Sequence, residues 1–142
     1  MTMMAEGAAS NMKFGIVISR ELDSHNELFL MPLVERLSQL GCTAQNIIVK
    51  RVPTTHDVLM ATLFLAEYTD CDGVIILAPK QSIMEHLPLM NGIVQIQTQW
   101  NMVVEIGGIE CADNIVEMIT LQNDMELEAP EMLRQRGAGS IS

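Results

Sequence analysis

The loops that follow the apolar runs contain few reactive side chains. His56 and Asp57 follow the run Val52-Pro53-Thr54-Thr55, and an imidazole beside a carboxylate suits general acid-base work near neutral pH. The competing role is structural, because an acid in the first turn of a helix complements the helix dipole, and a histidine beside it then simply faces water. His86 falls inside a predicted helix and reads as a surface residue; His25 offers less still. Arg20, at the exit of a β-branched run, is suited either to holding a carboxylate or phosphate or to solvation. Lys50, Arg51 and Lys80 supply the remaining positive charge, with residues 50 and 51 on opposite faces of a strand. The sequence contains no phosphate-cradling Gly-rich loop, no serine nucleophile elbow and no metal-ligand spacing, and Gly107-Gly108 alone carries no argument.

The elements that position these residues follow from periodicity. Lys13 to Ser19 is a short apolar run of the kind found in a strand covered on both faces. Leu30, Leu33, Val34, Leu37 and Leu40 repeat at helical spacing and stop at Gly41; Pro32 fits only near the helix start, or at a bend if the helix begins near Asn26. A second strand is expected over residues 45 to 51, then a helix capped by Thr54 or Thr55 and running to about Tyr68. A third strand spans Gly73 to Leu77, followed by a helix from about Gln81 to Thr98 interrupted near Pro88. A fourth strand, Met102 to Ile106, precedes a helix from about Ala112 to Gln122. This β-α alternation predicts one α/β domain: a doubly wound, four-stranded parallel sheet with helices on both faces. In such sheets ligands sit beyond the carboxyl ends of the strands, which brings the loops at residues 19 to 25, 52 to 57, 78 to 81 and 107 to 113 forward as the candidate site.

Composition sets the outer bounds. The 142 residues are 49% hydrophobic, enough for one core. Residues 1–12 read as a disordered leader, 13–123 as the domain, and 124–142 as a charged helix followed by a flexible tail. A formal charge of -10 disfavours nucleic acid and anionic membrane surfaces as partners. The apolar runs are too short to cross a bilayer, and nothing resembles a signal peptide, so a cytoplasmic location is expected. The three cysteines, Cys42, Cys71 and Cys111, lie far apart and are expected to be reduced and buried. Most methionines fall on apolar faces, where they fill gaps in a core.

Several segments resemble lumazine synthase in order and spacing, from about Lys13 to Gln122. Phe14-Gly-Ile-Val-Ile-Ser-Arg20 resembles the family's first strand; Leu40-Gly41 resembles the end of its first helix. Val52-Pro53-Thr54-Thr55-His56-Asp57 falls where the family has Val-Pro-Gly-Ala, an aromatic residue and Glu. Cys71 to Ile75, Gly92 to Gln95 and Asn114-Ile115 resemble later landmarks. The resemblance implies condensation of a ribitylaminouracil with dihydroxybutanone phosphate at the subunit interfaces of a pentamer, which in some members closes into a shell. It implies no metal and no cofactor.

The family's reacting residues are replaced here. Its loop after strand three carries a phosphate-binding threonine region and a proton-shuttling histidine; in this sequence that loop is shorter, and Gln81 or Ser82 falls near the histidine. The family's phosphate-binding arginine falls at Leu121 and its stacking aromatic near Glu21. Asp57 retains an acid where the ribityl chain would be held. The resemblance therefore predicts a self-assembling homo-oligomer, a pentamer or a multiple of one, with a degenerate catalytic site. Any flavin-like or pteridine-like ligand is expected at Arg20, Thr54, Thr55, His56, Asp57, Gln81 and Ser82. A functional 6,7-dimethyl-8-ribityllumazine synthase is the alternative, with His56 or His86 as a relocated base; an unrelated doubly wound signalling domain is a third reading.

Overall fold

The computed structural model describes residues 6–21 and 26–139, with side chains to residue 135. Its sheet has four parallel strands in the order β2-β1-β3-β4. These are β1 (Phe14–Ser19), β2 (Ile47–Val52), β3 (Gly73–Leu77) and β4 (Val103–Gly107). The central strands β1 and β3 are buried along their whole length, as their unbroken apolar character requires. Between and after the strands run α1 (Asn26–Gln39), α2 (Thr55–Tyr68), α3 (Lys80–Met84), α4 (Leu87–Trp100) and α5 (Cys111–Gly139).

The sheet separates two cores. Ile16, Ile18, Ile75 and Leu77 pack with Leu33 and Leu37 of α1 and with Ile115 and Ile119 of α5. Val17, Val74 and Ile76 on the other face pack with Val58 and Leu65 of α2, Ile83 of α3 and Ile93 of α4. The doubly wound architecture expected from the β-α alternation is the one observed.

Three expectations are corrected in detail, and of the two starts considered for the first helix the earlier is the one observed. Residues 6–12, assigned to the leader, fold against the end of α1: Ala9 is fully buried and its N–H donates to the Leu40 carbonyl at 2.8 Å. Residues 1–5, and the last three of the expected tail, lie outside the described residues. The turn depends on Gly41, whose φ of +105° suits glycine and whose added Cβ would lie 2.9 Å from the Gly7 backbone. The helix α1 starts at Asn26, which places Pro32 inside it. The predicted third helix is two helices, because the chain breaks at Glu85-His86 ahead of Pro88. His86 is consequently not an interior helical residue but the N-cap of α4, its Nδ1 accepting from the Leu89 N–H at 3.3 Å. The fourth helix and the charged segment after Asp124 form one continuous helix, α5, with Pro130 inside it.

A bidentate ion pair ties the two helices on one face together. Arg36 of α1 donates from Nε and Nη2 to the two carboxylate oxygens of Asp113 at 2.9 and 2.7 Å, and Asp113 is 3% exposed. Hydrogen bonding to this carboxylate raises the Arg36 pKa above its ordinary value.

The three cysteines are free and buried. Burial raises the pKa of all three, and Cys111, beside Glu110 and Glu105, is pushed up to about 12. Thiolate is the reactive form, so Ellman's reagent at pH 8 is expected to label none of them in the folded protein and all of them in guanidinium chloride. Rapid native labelling would contradict this packing.

Candidate functional site

The strand ends divide into two halves. On the β1/β2 side, the Arg20 N–H donates to the Val52 carbonyl at 3.0 Å, extending the strand pairing into the loops. Glu21 then reaches α2, where its Oε2 accepts from the Thr55 N–H at 2.7 Å. The Thr54 N–H and hydroxyl both donate to Asp57 Oδ2, at 3.2 and 2.8 Å. The start of α2 thus holds two carboxylates of the chain's own, Glu21 and Asp57, where an incoming anion would otherwise meet free N–H groups. His56 projects exposed from the same turn.

On the β3/β4 side, the Ala78 N–H donates to the Gly107 carbonyl at 3.1 Å. Gln81 and Ser82 occupy the first turn of α3, both exposed, and Gln81 Nε2 donates to Glu85 at 2.9 Å. Glu105 of β4 is half-buried; burial raises its carboxyl pKa and the nearby Lys80 partly offsets that rise.

The clefts follow the same division. One, of about 510 Å³, is lined by Lys50, Arg51, Pro53, Asp57, Met60 and Phe64. Lys50 and Arg51 do face opposite ways: the ammonium sits 5.6 Å over the Phe64 ring, and the guanidinium binds Glu27 of α1. The other, of about 430 Å³, lies at the ends of β3 and β4 among Asn26, Phe29, Leu77, Pro79, Lys80 and Ile109. Of the seven expected binding residues, Asp57 lines the first cleft and none lines the second. Arg20, Thr54, Thr55, His56 and Asp57 are brought together around the β1/β2 loops, while Gln81 and Ser82 belong to the other half.

Sequence reasoning missed Glu21 as a clamp and Glu105 altogether, and it placed Asn26 only as a possible helix start. A lone acid two residues past a strand has no periodic signature, but the Glu105 carboxylate breaks an apolar run in β4, which was a readable signal.

Because Asp57 holds the helix start, Asp57→Ala is expected to lower stability by about 1 kcal/mol, the usual worth of a capping interaction. Urea denaturation measures it; an unchanged midpoint would show that the cap contributes nothing.

Among the described residues no helix is long and apolar enough to cross a membrane, and no three acidic, histidine or cysteine side chains gather as a metal site. No family model matches the chain. It is similar to the 6,7-dimethyl-8-ribityllumazine synthase of Polynucleobacter necessarius subsp. necessarius (strain STIR1), at 27% identity over 85% of this chain and 88% of that protein. That similarity, running through nearly the whole domain, supports a relationship to lumazine synthases, and the parallel doubly wound sheet accords with it.

Proposed function

We propose that this chain is a lumazine synthase-like protein that assembles into a cytoplasmic homo-oligomer, a pentamer or a multiple of one, and has lost the condensation chemistry. The observation that carries the reading is the filled start of α2: Glu21 and Asp57 take up hydrogen-bonding groups of Thr54 and Thr55 around which a substrate pocket was expected. Asp57 is committed to its own helix, and among the described residues His56 beside it has no hydrogen-bonded partner that would orient it as a base. Ligand binding without turnover remains compatible with the cleft beside Asp57, and a flavin or pteridine titration in which Asp57→Ala weakens binding supports that part of the reading.

Assembly is supported by apolar surface that the monomer leaves open. Met60, Phe64 and Tyr68 of α2 are 72%, 44% and 70% exposed, and Leu28 and Met31 of α1 are 70% and 62% exposed. Exposed apolar residues at helical spacing, one group on α2 and a separate one on α1, are the kind of surface that a partner subunit covers. The expected particle mass by light scattering is five times the 15.7 kDa chain mass, or a multiple of that. A monomer at micromolar concentration would overturn the assembly.

A further inference from the structure

Beyond the sheet, α5 carries a surface that the fold leaves unused. Its first turns are anchored in the core through Cys111, Ala112, Ile115, Val116 and Ile119, all buried, whereas every residue from 123 to 135 is exposed. Among the described residues, the last hydrogen bond from this stretch to the rest of the domain is that of Glu126 Oε1, which accepts from Asn101 Nδ2 at 3.2 Å. A helix with so little tertiary support is marginal in water, and Pro130 inside it weakens it further. The distal part of α5 is therefore stabilised by any partner that covers it.

What it offers a partner is one apolar stripe. Met118, Leu121, Met125 and Met132 are exposed and follow one another by three, four and seven residues, the spacing that lines one face of a helix. Ala129 continues this face, and Pro130 and Leu127 lie on the far side of the helix. The three methionines face outward rather than filling gaps in the core, and a row of flexible thioethers moulds itself to another apolar surface.

Charge decides the occupant. Glu128 stands seven residues after Leu121, in the stripe itself, and Glu117, Asp124 and Glu131 repeat every seven residues along one border of it. Glu131 is paired with Arg134, but among the described residues Glu117, Asp124 and Glu128 have no cation beside them. A second copy laid on the stripe in parallel would set Glu128 against its own counterpart, and an antiparallel copy would set one acidic border against the other. Both arrangements bring like charges together. A base on the occupant turns the same positions into attractive pairs.

We propose that the exposed stripe of α5 docks a basic amphipathic helix of a partner protein, whose apolar face lies on Met118, Leu121, Met125 and Met132 and whose lysines or arginines meet Glu128 and the acidic border. From Met118 to Met132 the stripe runs about 21 Å along the helix, so the occupant needs about four helical turns. The surface is separate from the loops at the strand ends and does not rest on the loss of condensation or on the size of the assembly.

The probe is a fluorescein-labelled peptide of leucine and lysine, about four helical turns long with every leucine on one face, titrated by anisotropy against the intact protein at physiological salt. A scrambled peptide of the same composition and a counterpart with glutamate in place of lysine are the controls. The basic amphipathic peptide is expected to bind at least about tenfold more tightly than the scrambled one, and the acidic counterpart is expected not to bind. Met125→Gln/Met132→Gln, which leaves the charge unchanged, is expected to weaken binding about tenfold, and Glu128→Lys about fivefold, with particle mass and helix content unchanged in both. No binding to the unaltered protein would overturn the proposal, as would equal binding of the scrambled peptide, which would reduce the effect to net charge. So would unchanged affinity in the methionine double variant, which would place the peptide elsewhere, or a fall in its particle mass, which would assign the stripe to a second copy of this chain. Should the double variant fail to fold, Glu128→Lys decides alone, and unchanged affinity there overturns the proposal.

Discussion

Asp113→Ala is expected to lower folding stability by about 3 kcal/mol, as the loss of two charge-assisted hydrogen bonds from a buried carboxylate implies. For a domain of this length that corresponds to a fall in Tm of about 10 °C. The cause is asymmetric. Alanine removes both oxygens that hold the Arg36 guanidinium between α1 and α5, and the cation must then turn outward to water or stay where it is unpaired. Replacing both partners with apolar residues is expected to recover much of the loss, because no unpaired charge is left. Thermal melts of Asp113→Ala and of the double variant Arg36→Met/Asp113→Leu check this. A single variant that melts with the unaltered protein would show that the pair adds nothing to the fold.

The architecture was legible in the sequence because it is written in periodicity. β1 and β3 are unbroken apolar runs, and α1 shows its core face through Leu30, Leu33 and Leu37, all buried. Boundaries were legible only where a residue type dictated them, as at Gly41 and at the Thr54 cap. The break between α3 and α4 was expected at Pro88, but a proline is well accommodated near a helix start; the chain therefore breaks just before it, and His86 becomes a cap. The length of α5 was hidden by a shift in composition at Asp124, which altered the exposed surface without altering the helical conformation.

The site was less legible because its decisive contacts join residues distant in sequence. Glu21 and Thr55, whose bond fills the start of α2, are 34 positions apart. Asn26 is legible in the sequence only as a possible helix start, and its burial comes from packing that no local pattern encodes. The opposite holds for Asp57: the sequence left it between catalysis and helix capping, and its bonds to Thr54 are those of a cap.

Condensation activity is expected to be absent, or at least about 10²-fold below that of a lumazine synthase, the usual worth of one general base. The reaction requires a held phosphate and a base near the condensing carbonyl. The resemblance sets Leu121 at the anchor and Gln81 or Ser82 at the base; Leu121 is an exposed apolar residue of α5, and Gln81 is bonded to Glu85. A leucine cannot pair with a dianion, and an amide cannot take a proton near neutrality. Of the histidines in the described residues, His86 has its Nδ1 engaged at the start of α4, and His56 stands exposed in the first turn of α2.

The direct measurement is product fluorescence from the purified protein supplied with a ribitylaminouracil and dihydroxybutanone phosphate. The expected result is no product above about one-hundredth of the rate of a lumazine synthase run in parallel, with particle mass and thermal melt unchanged through the assay. Turnover at that enzyme's rate, abolished in His56→Ala or His86→Ala, would contradict the account and assign the chain a working active site with a relocated base.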